Sequence, residues 1–196
     1  FCGNRRAMRW LMKLILASAS PRRREILAHL LASFEVIPSL ADEHTSGLSP
    51  RDAARAIAER KAESIFVSHP DAAVLGADTV VAFEGRMLGK PLDAEDAKRT
   101  LALLSGKTHE VFTGWCLLAP GRRASGVVRS GVTFHRLSEP FICEYVASGK
   151  PMDKAGSYGI QDDARIVERF EGSLTNIIGL PEEEIKEQLQ KFGLLK

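Results

Sequence analysis

Short apolar runs and apolar stripes spaced three and four residues apart alternate along the 196-residue chain, and that rhythm restricts it to a sheet covered by helices. Residues 14–17 read as a buried strand. Ser20 then offers an N-cap oxygen, Pro21 suits the first helical position, and Ile26, Leu27, Leu30 and Leu31 form a core-facing stripe. A second strand is expected at 34–37. Ser49-Pro50 repeats the cap signal, with Asp52 in the first turn and Ala54, Ile57, Ala58, Ala62 and Ile65 carrying a helix toward Phe66. Residues 73–83 read as a Val-rich strand broken by Asp78-Thr79; a turn at Glu84-Gly85 returns it through 86–88. Asp93 caps a helix over 94–104 that stops at Gly106. Long strands are expected at 111–118 and 127–137, joined through Pro120-Gly121. A helix runs from Ser138 through Val146 to Gly149, another strand covers 166–170, and Pro181 opens a last helix with three Glu in its first turn. Isolated strands together with a hairpin indicate an α/β fold with a mixed sheet.

The leader 1–11 shows no period, and Met12 stands as a candidate natural start, so the expected organisation is a disordered N-terminal extension (1–11) and a single domain (12–196). Three of the 27 basic side chains, Arg5, Arg6 and Arg9, lie in that leader, and without them 24 basic face 25 acidic residues. A neutral body argues against a nucleic-acid or membrane surface, which needs a basic face. Cys2, Cys116 and Cys143 are odd in number and widely separated, which argues against a disulfide framework or zinc site. With no apolar run near the roughly 20 residues of a membrane span, a cytoplasmic, reducing location is expected.

Chemistry-bearing residues cluster at a few places. Ser18 and Ser20, with Arg22 and Arg23, sit where a strand meets a helix N-terminus. The unpaired N–H donors there favour an anion, and arginine's planar fork suits phosphate. An N-cap followed by exposed basic residues is the plainer reading. Asp78 interrupts an apolar strand, a costly place for a carboxylate unless it is paired, ligates a divalent cation or serves as a general base. Glu43, Lys61 and Lys90 read singly as solvated charges. Together they could surround a cation and a triphosphate, though spacing alone does not bring them together. The segment 153–161 (DKAGSYGIQ) reads either as turns or as a recognition loop in which Lys154 supplies a charge and Gln161 an amide for a base edge.

Two decoys fall away. Ser105-Gly106-Lys107-Thr108 imitates the end of a phosphate loop, but Leu101 stands where its first Gly belongs, and the run ends a helix. His29, His44, His69, His109 and His135 show no ligand spacing.

Four blocks taken together carry a resemblance: LILASASPRR (14–23), GADTVV (76–81) with GKP (89–91), LSGKTHEVFTG (104–114), and DKAGSYGIQ (153–161) followed by NIIGLP (176–181). The chain from Met12 onward resembles the Maf family of nucleoside triphosphate pyrophosphatases. That resemblance implies a curved mixed sheet flanked by helices, of inosine triphosphatase-like type, with two lobes around a central cleft, often as a homodimer. It also implies hydrolysis between the α and β phosphates with Mg²⁺ or Mn²⁺. By position, Asp78 is similar to the family's proton acceptor, Glu43 to the acidic residue beside the metal, and Ser18, Arg22, Arg23, Lys61 and Lys90 to its phosphate contacts. Arg23, Thr79 and Gln161 fall where the family's branches differ, and GSYGIQ resembles the branch acting on dTTP and UTP. The stretch Asp162-Asp163-Ala164 departs from the more Gly-rich sequence usual there. The rival expectation is a nucleotide-sensing module that affects septum formation without turnover.

Overall fold

The computed structural model describes residues 12–196; the extension expected at 1–11 lies outside the described residues. Seven strands form one mixed sheet: β1 (Leu14–Leu16), β2 (Glu35–Val36), β3 (Ala73–Phe83), β4 (Arg86–Leu88), β5 (Thr108–Ala119), β6 (Arg122–Phe134) and β7 (Val167–Glu171). Its order is β2-β1-β3-β5-β6-β7, with β4 paired to β3. β1 lies parallel to β2 and β3; the β3–β4, β3–β5, β5–β6 and β6–β7 pairs are antiparallel. The helices are α1 (Pro21–Leu30), α2 (Pro50–Phe66), α3 (Ala94–Leu104), α4 (Glu139–Ala147), α5 (Leu174–Ile178) and α6 (Glu182–Lys191). Among the described residues no helix is long and apolar enough to cross a membrane.

Caps read from the sequence close most helices: Ser20, Ser49, Asp93 and Ser138 each accept a hydrogen bond from the backbone N–H three residues on. The expected strand at 34–37 shrinks to two residues. The strands expected at 111–118 and 127–137 begin earlier, at Thr108 and Arg122, because hairpin pairing continues through polar residues down to the Ala119–Arg122 pair. β6 also ends sooner than expected. Past an irregularity at Thr133/Phe134 the His135 N–H donates to the Ile166 carbonyl, so residues 135–137 leave the ladder. The short helix α5 and two 3-10 turns at Lys150–Asp153 and Ala155–Ser157 were not expected.

Side chains alternate along β3 and β5, and each face has its own role. Val74, Val80 and Ala82 of β3, with Phe112, Cys116 and Leu118 of β5, face α2. At Gly76 and Gly114 the helix comes closest. A Cβ on Gly76 would lie 2.4 Å from the Ala58 carbonyl oxygen, and one on Gly114 would lie 2.2 Å from that of Ala54. The alanines buried along α2 and these two glycines let backbone approach backbone. The opposite face holds two apolar clusters. One joins Leu75, Ala77, Trp115 and Leu117 to α1 and α6; the other joins Val81, Val111, Val132 and Phe134 to α3 and α4. Between them, in register, stand Thr79 and Thr113. The two-lobed shape implied by the resemblance corresponds to this division of one sheet face.

His109 is a core residue. Its Nε2 bonds the Tyr158 hydroxyl at 2.8 Å, and burial pushes its pKa down to about 4. The unfolded chain protonates this histidine near pH 6.5, while the folded chain resists until about pH 4. Its contribution is therefore complete above pH 6.5 and lost as pH falls toward 4, a change of about 3 kcal/mol. His109→Gln, which keeps a partner for Tyr158 without titrating, is expected to flatten the stability-pH curve over that window in urea titrations. Gly114→Ala should cost about 1–3 kcal/mol or more in the same assay, because the obstructing atoms are helix backbone.

Candidate active site

A cavity of about 650 Å³ opens where β1 gives way to α1 and where β3 runs on past β1. That is within the range of small-molecule sites. Every site residue singled out from the sequence lines it: Ser18, Ser20, Arg22 and Arg23 from the β1–α1 junction, Glu43 from the loop after β2, Lys61 from α2, Asp78 and Thr79 from β3, Lys90 after β4, and Lys154 and Gln161 from the 153–161 segment. Its walls carry five basic side chains against three acidic ones (Glu43, Asp78 and Asp153), an excess that suits a polyanion. Val81, Leu88, Val111, Tyr158, Ile160 and Ile177 add an apolar wall.

Neighbours on β3, Asp78 and Thr79 point to opposite faces. Asp78 faces α2, where Lys61 Nζ donates to its Oδ1 at 2.7 Å and meets Glu43 Oε1 at 2.6 Å. The Lys61 and Asp78 side chains are only 10% and 13% exposed, so the charge of each needs the other. Partial burial pushes the Glu43 carboxyl up. The Lys61 hydrogen bond, with the charges of Lys61, Lys90 and Arg23, outweighs that and holds it below the usual carboxylate range. Asp78 Oδ2 makes no hydrogen bond to the described residues.

Arg23 is buried, and three of its five N–H groups are spent inside the protein. Nε donates to the Gly179 carbonyl at 2.8 Å, Nη1 to Ser18 Oγ at 3.1 Å, and Nη2 to Thr79 Oγ1 at 3.1 Å. One N–H remains on each terminal nitrogen. Desolvation pushes the Arg23 pKa down, while the charges of Asp78 and Glu43 hold it up. Ser18 Oγ accepts from Arg23 and from the Ser20 N–H at 3.2 Å, which leaves its own proton to donate. Ser20 is the helix cap, as the plainer reading had it, yet it still lines the cavity. Arg22 is more exposed and lies 3.4 Å from Asp153. Lys154 is tied down: Nζ donates to the Lys150 carbonyl at 2.5 Å and meets Asp153 at 2.9 Å and Asp162 at 3.3 Å. Asp162 also accepts from the Tyr145 hydroxyl at 2.6 Å, so the departure at 162–164 supplies a carboxylate that braces the loop.

The sequence reading missed what lies beneath this surface. Thr113 and Asn176 stand inside two of the resembling blocks without an assigned part. Thr113 Oγ1 reaches the Asn176 carbonyl at 2.8 Å and Thr79 Oγ1 at 3.0 Å. The polar break in two otherwise apolar strands, Thr79 and Thr113, was the available signal.

Among the described residues no group of three or more His, Cys, Asp or Glu gathers to hold a metal. Glu43 and Asp78 nonetheless converge on a single ammonium, and two carboxylates with substrate phosphates are the usual holders of a Mg²⁺-like ion. That donor pair fits an ion whose coordination the substrate completes.

A mixed sheet open at both edges and flanked by helices, with a cavity rich in basic side chains at the end of β1, makes this an α/β fold. The Staphylococcus aureus Ham1 protein shares it, with a TM-score of 0.51 at 12% identity over 92% of this chain and 99% of that one. The Maf-like protein family model matches residues 13–192, and the chain belongs to that family. Similar relatives include the dTTP/UTP pyrophosphatases of Thermococcus gammatolerans, 46% identical over 88% of this chain and 92% of theirs, and of Syntrophus aciditrophicus, 48% identical over 93% and 91%.

The different surroundings of the two neighbouring arginines yield a test. Arg23→Lys gives up the fork that joins Ser18, Thr79 and Gly179, and should lower stability by about 1–3 kcal/mol in chemical denaturation. Arg22→Lys should stay within about 0.5 kcal/mol of the parent.

Proposed function

We propose that this protein is a nucleoside triphosphate pyrophosphatase that hydrolyses dTTP and UTP to the nucleoside monophosphate and pyrophosphate. One observation carries the reading: a nearly buried carboxylate, Asp78, keeps one oxygen free in the lining of a cavity whose walls bring cations from separate elements together. The relatives named dTTP/UTP pyrophosphatases support the same substrates.

A triphosphate carries about four negative charges that repel an approaching water, so binding must neutralise charge and fix the water in line with the α-phosphorus. Ser18 donates its free proton to a phosphate oxygen, and Arg22, Lys90 and the third N–H of Lys61 offset the remaining charge. Lys61 holds Asp78 Oδ1, which directs Oδ2 at the water, and Asp78 accepts the water's proton as the new P–O bond forms and the bridging bond breaks. Glu43 and Asp78 would hold a Mg²⁺ or Mn²⁺ ion, which supplies charge neutralisation across the phosphates. The apolar wall with Tyr158 and Ile177 takes the base, and the amide of Gln161, also in the lining, is available to its polar edge.

Asp78→Asn is isosteric and removes the proton acceptor. It should reduce pyrophosphate release from dTTP by at least about 100-fold while the protein stays folded, with a lowered melting temperature because Lys61 loses its nearly buried ion-pair partner. Near-parental release would remove Asp78 from the reaction. Tight binding of dTTP by the unaltered protein with no product in the presence of Mg²⁺ would favour the sensing module instead.

A further inference from the structure

Proton bookkeeping in the polar seam between the two apolar clusters gives each hydroxyl a direction. The Asn176 carbonyl can only accept, so Thr113 spends its single proton there, at 2.8 Å. In the 3.0 Å pair between Thr113 and Thr79, Thr79 must then be the donor. The Arg23 Nη2 group can only donate, and it donates to Thr79 Oγ1 at 3.1 Å. The chain therefore runs one way, from Arg23 to Thr79 to Thr113 to the Asn176 carbonyl. Its far end is anchored. The Asn176 side chain donates to the Val111 carbonyl at 3.3 Å and to Ser130 Oγ at 2.9 Å, and its N–H donates to Ser173 Oγ at 3.2 Å. Thr113 and Asn176 are completely buried, so no water can replace a missing partner from bulk.

Thr79 lines the cavity with its proton already committed inward. Toward a ligand it offers a lone pair and nothing else, beside the two unspent N–H groups of Arg23. That wall shows a donor next to an acceptor. An imide held there gives its C=O to Arg23 and its N3–H to Thr79; cytosine in the same placement presents O2 and N3, two acceptors, and meets the Thr79 lone pair with a lone pair, and only a shift along the wall would bring its N4 amino group to Thr79. Turning the Thr79 proton to serve cytosine would break its bond to the buried Thr113 hydroxyl, and Thr113 could restore that bond only by taking its own proton from the Asn176 carbonyl.

We propose that Thr113, which touches no substrate, is a positioning residue that selects imide-bearing bases, uracil and thymine, over cytosine by fixing the Thr79 hydroxyl as an acceptor. The proposal rests on the nucleotide reading of the cavity given above.

The test compares UTP with CTP on the full chain with Mg²⁺, by pyrophosphate release and by the rise in melting temperature that each nucleotide produces. The unaltered protein should prefer UTP in both. Thr113→Val, the same shape without the hydroxyl, frees the Thr79 proton and should lower the UTP/CTP ratio of kcat/KM at least about fivefold. Thr113→Ser, which restores the hydroxyl, should recover the parental ratio; a purely structural role would change stability and leave the ratio alone. If Thr113→Val does not fold, Thr79→Val, which deletes the acceptor, must produce the same loss. An unaltered ratio in a folded Thr113→Val protein, or no UTP preference in the parent, overturns the assignment. Absence of pyrophosphate with a UTP-over-CTP melting shift that Thr113→Val erases would instead defeat the proposed reaction and sustain the role of Thr113.

Discussion

Helix α2 rests on bare backbone. Where Gly76 and Gly114 stand, nothing separates its carbonyls from the central strands, and Asp78 lies opposite Gly114 in register. That contact fixes how far Lys61 extends over β3, and so places its ammonium on Asp78 and within reach of Glu43. A larger side chain at either glycine would lift the helix, and the ion pair with it. Both charges are nearly buried, so separating them would leave each without solvent or partner. The packing of the fold and the electrostatics of the site are thus one constraint.

On the other face Arg23 has an equivalent part. Its guanidinium ties the start of α1, strand β3 and the end of α5 to one another at the boundary between two apolar clusters. Apolar contact holds each cluster together by itself, but polar groups hold the seam. The cavity opens above that seam, where partly satisfied donors and acceptors remain to meet a ligand.

Much of this was legible in the sequence, for physical reasons. A cap oxygen at the helix start, with a proline after it at Ser20 and Ser49, is a local signal, and Ser20, Ser49 and Asp93 all behave locally. The polar pair at 78–79 stood out because alternation in a buried strand leaves no room for it unless it has a task. Less legible were features that depend on distant partners. The polar start of β6 is strand only because β5 pairs with it, and α5 is too short to show a helical period. Spacing could not show that Glu43 and Asp78 share Lys61, that Lys154 is spent on Asp162, or that Arg23 gives most of its donors to the protein itself. Thr113 was hidden for the same reason, since its partners lie 34 and 63 residues away.

Asp78 and Thr79 are joined by one peptide bond yet serve different walls of the cavity, one toward α2 and the other toward the polar seam. Successive strand residues rise about 3.3 Å and turn about 180°. The backbone itself is therefore the ruler between the bond-breaking end and the reading end, independent of any rotamer. Slipping β3 by a single residue would bring either Thr79 to Lys61 and Val80 toward Arg23, or Asp78 toward Arg23 and Ala77 to Lys61, and either slip dismantles both walls. The nine-bridge ladder with β5, from Val74–Leu118 to Ala82–Glu110, guards against that slip. The longest pairing of the central strand thus holds each chemistry to its own wall.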